Sequence, residues 1–324
     1  MRADETTLPF NPLRRSLYSP QELYAGYELS DPNSYASCAD VRILSYFARY
    51  GTNPVASAGA STLEALHDNS ISIALQPLIP AEARVVAVMG GHQMVRGTTA
   101  FGDVARLASG LARAGILVAS GGGPGAMEAS HLGALLSKAP PSELEAALAA
   151  LAGEALLPED AKKVVDAEGR IDGAVAARLH RWLAPAYRIA AQFFGRDDGV
   201  ASLGVPTWLY GYEPTTPLAR HIAKYFQNSL REDGLVTMGV NGIVYAEGSA
   251  GTVQEIFQDA SQNFYGAHFY PMVFLSAPGT DFWSARLPVR PLIEALLGQK
   301  PDYARCVLFT DDATAALDFL LGHA

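Results

Sequence analysis

The chain reads as an α/β protein: a Rossmann-like, doubly wound parallel sheet with an N-terminal arm and a helical insert. Three observations carry this. Short apolar runs rich in β-branched residues recur along the sequence, as buried parallel strands do. Stretches with helical hydrophobic period alternate with them. Two glycine-rich turns, about 125 residues apart, each lie where such a run hands over to a helix.

The elements follow in order. Residues 1–35 are rich in Pro, Ser, Asn and Asp and lack period, so an extended arm is expected, packed on the surface or on a partner subunit. Ala39 to Tyr50 reads as helix, residues 53–61 as a loop of small residues and Ser61 to Asn69 as a short helix. Residues 1–80 are therefore assigned to an arm and helices packing on the core, and residues 81–324 to the Rossmann-like unit. That unit opens with the strand Val85–Met89, which ends at Gly90-Gly91-His92. Thr99 to Ala114 is a helix, closed by Gly115 as a C-terminal stop. Ile116–Ala119 is the next strand, followed by the first glycine turn and a helix to about Leu136. Residues 138–200 interrupt the alternation with two predicted helices, Pro141 to Gly153 and Asp172 to Phe194, around the loop Pro158 to Arg170. This insert is expected to be a cap or a dimerisation element. Beyond it the sequence predicts a strand over Thr207–Tyr210, a helix over Pro217–Leu230 and a strand over Ile243–Ala246. The second glycine turn and the helix Thr252 to Phe264 come next. A strand at Met272–Leu275, a helix over Phe282–Leu297, a strand at Cys306–Phe309 and a helix over Asp311–Leu321 complete the chain.

Composition narrows the function classes. A chain of 324 residues with 49% hydrophobic and 18% charged residues can bury a sizeable core. A formal net charge of −9 argues against a broad basic face for nucleic acid. No stretch reaches the roughly 20 apolar residues that span a bilayer, and no apolar run follows basic residues at the start, so no membrane partner and a cytoplasmic location are expected. Cys38 and Cys306 form no motif, and no His/Cys cluster has zinc spacing; two packed, reduced thiols and no metal or other cofactor are expected.

The first turn is Ser120-Gly121-Gly122-Gly123-Pro124-Gly125-Ala126-Met127-Glu128; the second is Glu247-Gly248-Ser249-Ala250-Gly251-Thr252-Val253-Gln254-Glu255. Glycines at a strand–helix junction bare backbone N–H groups at the positive end of a helix, which suits a phosphate. Neither turn has the dinucleotide or the P-loop spacing. A tight turn needing φ > 0 is the bland reading of the first, and Thr252-x-x-Glu255 as a capping box that of the second. Near a helix N-terminus Glu255 is expected to be ionised, a base or an anionic stabiliser. Arg220, Lys224 and Arg231 fall along or just past one predicted helix, where surface cations are the usual case. Arg231 is set apart because it ends that helix and feeds the strand leading to the second turn. His92 lies at the likely ligand edge of the first strand, and Tyr212 is placed to stack on a base.

SGGGPGAMEASHLGA, preceded by VAVMGG and a helix, resembles the first motif of the LOG ("lonely guy") proteins, long mislabelled as lysine decarboxylases. GSAGTVQEIFQ resembles their second motif, PGGxGTxxE. The resemblance covers roughly residues 84–275, and the chain's size looks more like the bacterial nucleotide 5′-monophosphate nucleosidases than the compact plant-type enzymes. It implies phosphoribohydrolase activity: cleavage of a nucleoside 5′-monophosphate, AMP-like, to free base and ribose 5-phosphate. It places phosphate binding on Gly90, Gly91, Gly121, Gly122, Gly123, Gly125, Met127 (by its backbone), Gly248, Ser249, Gly251 and Thr252. It makes Glu255 the catalytic carboxylate, with Arg231, one residue off in spacing, as the catalytic arginine. This sequence departs from the family at Glu247-Gly248-Ser249, where the motif has Pro-Gly-Gly; an acid beside a phosphate cradle repels the ligand unless it points away or is paired. The rival readings are a non-catalytic carrier of a nucleotide or pterin cofactor, and a regulatory or structural oligomer. The arm and insert lead us to expect a homodimer or higher oligomer.

Overall fold

The structure, a computed structural model, describes residues 8–51, 58–195 and 202–323. Its helices are α1 (Pro20–Leu23), α2 (Ala39–Tyr46), α3 (Ala58–Leu75), α4 (Thr99–Arg113), α5 (Ala126–Leu135), α6 (Pro141–Ala152), α7 (Gly173–Ala191), α8 (Asn228–Met238), α9 (Ala250–Tyr265), α10 (Arg290–Leu297), α11 (Tyr303–Cys306) and α12 (Ala313–Leu321). Its strands are β1 (Val85–Met89), β2 (Leu117–Ser120), β3 (Ser202–Gly204), β4 (His221–Ile222), β5 (Ile243–Ala246), β6 (Met272–Leu275) and β7 (Val307–Thr310). All seven pair in parallel, in the order β4-β3-β2-β1-β5-β6-β7.

The sheet is buried on both faces, as parallel sheets are. Val85, Ala87 and Met89 of β1 face one core, with Leu235 of α8, Ile256 of α9 and Ile293 of α10. Val86 and Val88 face the other, with Val104 of α4, Leu132 of α5, Leu148 of α6 and Leu320 of α12. The strand order reverses between β1 and β5: the chain runs outward from β1 to β4, then returns to the other side of β1. The loops after β1 and β5 therefore lie side by side at the carboxyl edge at this reversal, where open α/β sheets take their ligands.

Several readings of the sequence are corrected. The N-terminal stretch is no extended arm from residue 8 on: Leu23, Tyr24 and Tyr35 are buried in the core, and Tyr18 exchanges backbone hydrogen bonds with Ile222 of β4. Thr207–Tyr210 is not a strand but a single residue of pairing, Thr207 to Tyr225, followed by a 3₁₀ turn over Trp208–Tyr210; the strand is Ser202–Gly204. Pro217–Leu230 is not one helix: residues 217–227 form a segment that carries β4, and α8 begins at Asn228. Leu218, Ala219, Ile222, Ala223 and Phe226 do follow a helical period, but Pro217, Lys224 and Tyr225 between them are buried as well, so the period carried little information about facing. Residues 58–75 form one helix where a short one was expected, and part of the preceding loop lies outside the described residues. Phe282–Leu297 is divided into a π-turn over Phe282–Arg286 and α10.

Lys224 is no solvated cation. It is fully buried, its Nζ 2.7 Å from Asp40 Oδ1 and 2.8 Å from Thr215 Oγ1. Trp208 Nε1 donates to the same Asp40 oxygen at 2.9 Å. Burial lowers the Lys224 pKa, and Asp40 opposes the shift. This network fastens α2 to the segment that presents Tyr212. In parallel, Asp68 of α3 accepts from Phe226 N and Gln227 N at 3.0 and 2.8 Å, immediately before α8. The N-terminal helices thus hold the elements that build the site.

Candidate functional site

Three loops meet at the switch point. Gly91 N donates to Glu247 O at 3.0 Å, joining the loop after β1 to the second glycine turn. A Cβ on Gly91 would come within 3.2 Å of Gly248 Cα, and one on Gly90 within 2.7 Å of the Ala126 Cβ. Gly125, the N-cap of α5 at φ 72°, sits against the Gly91 carbonyl, where a side chain has neither the space nor the conformation.

The cleft so formed, of about 190 Å³, is lined by Gly90, Gly91, His92, Met127, Tyr212, Arg231, Ser249, Gly251, Thr252 and Glu255, together with Tyr210, Glu213 and Glu232. All the expected catalytic and base-contact residues are therefore in one place. Gly125 and Gly248 line cavities on either side instead. Gly122 faces away: its N–H donates to Ser120 Oγ at 3.2 Å, its carbonyl accepts from Thr216 N at 2.8 Å, and its φ of 69° shapes the turn. Its role in this arrangement is to turn the chain.

The two turns are not equivalent. The second is open. Helix α9 begins at Ala250 with Ser249 as N-cap and no side-chain cap, so the capping box is not formed; Thr252 turns its hydroxyl back over Gly248, and Glu255 lies in the second turn of the helix. Its leading N–H groups have no intrahelical partner by geometry, and Ser249, Gly251 and Thr252 line the cleft. The first turn is roofed. A Cβ at Gly121 would lie 2.7 Å from Arg231 Nη2 and from Met127 Sδ; one at Gly123 would lie 3.3 Å from Glu213 Oε2.

Arg231 links the two. It lies in the first turns of α8, not at the end of a helix as the sequence was read. Its Nη2 is 3.8 Å from Glu255 Oε1, and its guanidinium covers Gly121. Glu232 beside it is held by Asn228 Nδ2 at 2.6 Å and Gln254 Nε2 at 2.9 Å.

Glu255 is 7% exposed. Burial pushes its pKa up to about 7, Arg231 opposes the rise and Glu232 adds to it. The expectation of a firmly ionised carboxylate is therefore revised: desolvation outweighs the helix terminus and the arginine, and the group is poised near neutrality. Glu213 is likewise raised by burial and held down by His92, Arg231 and Lys162; His92 Nδ1 lies 3.2 Å from its Oε1. Glu213 and Glu232 were missed as site residues, although each directly follows one that was named. One helical turn onward from Glu255, Asp259 accepts from Tyr245 OH at 2.7 Å and is also raised to about 7 by burial.

Glu247 is resolved by the geometry. Its Oε1 accepts from Ala277 N at 2.8 Å and from Thr280 Oγ1 at 3.3 Å. The carboxylate is tied to the loop after β6 and is not among the residues lining the cleft.

Among the described residues, no helix is long and apolar enough to cross a membrane. No family model matches the chain, and no curated protein does. Among solved structures, it is similar to the molybdenum cofactor binding protein from the phototrophic bacterium Rippkaea orientalis, at 13% identity, over 75% of this chain and 98% of that one, with a TM-score of 0.42.

Proposed function

We propose that the protein hydrolyses the N-glycosidic bond of a nucleoside 5′-monophosphate, giving free base and ribose 5-phosphate. One observation carries the reading: Arg231 spans from Gly121 of the first glycine turn to Glu255 of the second, inside a single cleft at the sheet's switch point.

The phosphate takes the open end, against the N-terminus of α9 at Ser249, Gly251 and Thr252, with Arg231 as the charged donor. The ribose then lies toward Glu255. Bond cleavage builds positive charge on the sugar ring. The cleft meets that charge with three carboxyl groups, Glu213, Glu232 and Glu255, set against Arg231 and His92. Fixed carboxylates aimed at a developing cation stabilise it without reorganising. Glu255 in its ionised form stabilises the ring or takes a proton from the attacking water, and the remote phosphate orients the sugar for the step.

Glu247 is turned away from the cleft, so it does not repel a phosphate there, and the choice between turnover and a carrier that binds without it falls to experiment. The test is incubation with AMP, GMP, CMP and IMP and detection of free base. Wild type is expected to release base from at least one of them, and Glu255→Gln to lower that turnover by about 10²-fold or more. Equal turnover by Glu255→Gln would refute the mechanism; binding with no base released would favour the carrier.

A further inference from the structure

The cleft is smaller than the roughly 300–1,000 Å³ that organic ligands of nucleotide size occupy, and a second cavity of about 330 Å³ adjoins it. His92 and Tyr212 line both. The second cavity lies between the loop after β1 and the segment joining α6 to α7, and its walls are chiefly apolar: Met94, Val95, Ala155, Leu156, Leu157 and Pro158. In one wall the Arg96 guanidinium lies over the Trp182 ring at 3.7 Å from its centroid, both side chains almost fully buried and the charge matched by Glu128. At the junction with the cleft is the Tyr212 ring, with Lys162 Nζ 5.2 Å from its centroid. Leu156 stays 71% exposed at the rim, a costly placement for a leucine with nothing to cover.

We propose that this cavity is the subsite for a planar heteroaromatic ring carried by the ligand, and that the insert therefore sets ligand choice. The inference rests on the phosphate end lying in the neighbouring cleft. Apolar walls, the partly exposed Tyr212 ring at the mouth and a few polar groups (Gln93, Glu159 and Lys162) among the lining residues suit a fused nitrogen heterocycle. A nucleobase and a pterin share that chemistry. The cavity on the other side of the cleft, lined by Glu247, Phe282 and Arg286, has no second aromatic ring to oppose Phe282.

The experiment compares equilibrium affinities of the full chain for three ligands: ribose 5-phosphate, a C-linked isostere of AMP whose ring–ribose bond water cannot cut, and a pterin monophosphate. At least one ring-bearing ligand is expected to bind about ten-fold or more tighter than ribose 5-phosphate, in keeping with aromatic stacking. Ala155→Trp, which fills the cavity, is expected to erase that advantage and leave ribose 5-phosphate affinity unchanged. Tyr212→Leu, a milder change at a half-buried position, should reduce the advantage several-fold without erasing it. Which ring-bearing ligand gains identifies nucleobase or pterin. The proposal is overturned if neither ring adds affinity, if the advantage survives Ala155→Trp, or if it is lost on Arg286→Ala instead. If ribose 5-phosphate fails to bind while a ring-bearing ligand binds and loses affinity on Ala155→Trp, the subsite stands and the phosphate assignment falls.

Discussion

Glu255 and Arg231 share one cleft, 3.8 Å apart, and the arginine's charge bears on the ionisation of the carboxyl. Burial raises the Glu255 pKa to about 7, and the guanidinium 3.8 Å away limits the rise. If the ionised form is the working one, kcat/KM climbs with pH up to about 7 and then levels; a profile that falls through this range would mean that the acid form acts. Arg231→Met removes the opposing charge, so the midpoint should move up. It also removes the charged donor to phosphate, so ribose 5-phosphate affinity should drop about 10- to 100-fold, the worth of one charge-assisted hydrogen bond. A pH–rate profile and a titration of the same variant check both. That these two residues meet was suggested in the sequence by the resemblance of the second glycine turn to the family motif, since Thr252-x-x-Glu255 taken alone reads equally well as a capping box. The ionisation state was not legible, since it depends on how much water the fold removes from Glu255.

Helix α5 shows how the insert is locked to the site. Arg96, from the loop after β1, makes a bidentate pair with Glu128 of α5, at 2.6 Å for both bonds, and donates through Nη1 to the carbonyls of Trp182 in α7 (2.7 Å) and Glu154 after α6 (3.1 Å). Both side chains are 1% exposed. Arg96→Met strands a buried carboxylate and should cost about 3–5 kcal/mol in urea unfolding, whereas adding Glu128→Leu should recover most of it. Equal stability of the single variant and wild type would show that the pair contributes nothing. The strands β1, β2, β5 and β6 were legible, because each is a compact apolar run ending in glycine or a turn. The segment 202–227 was not: β3 has three residues and β4 two, too short for any period, and the segment's Asp40–Lys224 anchor joins residues far apart in sequence. Likewise the capping-box pattern at Thr252 was present in the residues, but the helix starts two positions earlier.

Over the whole molecule, buried ionisable groups make stability depend on pH in opposite senses. His131 is buried between Ser120 Oγ (2.8 Å) and Ser202 Oγ (3.0 Å), and burial lowers its pKa to about 3. Its folded pKa lies below the unfolded value near 6.5, so it stays neutral in the fold, and the stability it supports is lost as pH falls from about 6.5 toward 3. Asp259 works the other way. Its folded pKa of about 7 exceeds the unfolded value of about 3.9, so the fold binds the extra proton and becomes less stable as pH rises through that window. Asp259→Asn should therefore gain on wild type between pH 4 and 7, by on the order of 3 kcal/mol, and hold that lead above pH 7; denaturant unfolding at pH 4.5 and 8 measures it, and a gap that does not widen would contradict the burial argument. On the function proposed above, one crevice, made where the sheet reverses its order, holds a phosphoester and presents its sugar to a carboxyl group. A crystal structure with AMP bound is the decisive experiment. Phosphorus is expected within hydrogen-bonding reach of the Gly251 and Thr252 amides and the Arg231 guanidinium, with the ribose beside Glu255; a phosphate seated away from the ends of β1 and β5, or a sugar out of reach of Glu255, would overturn the proposal.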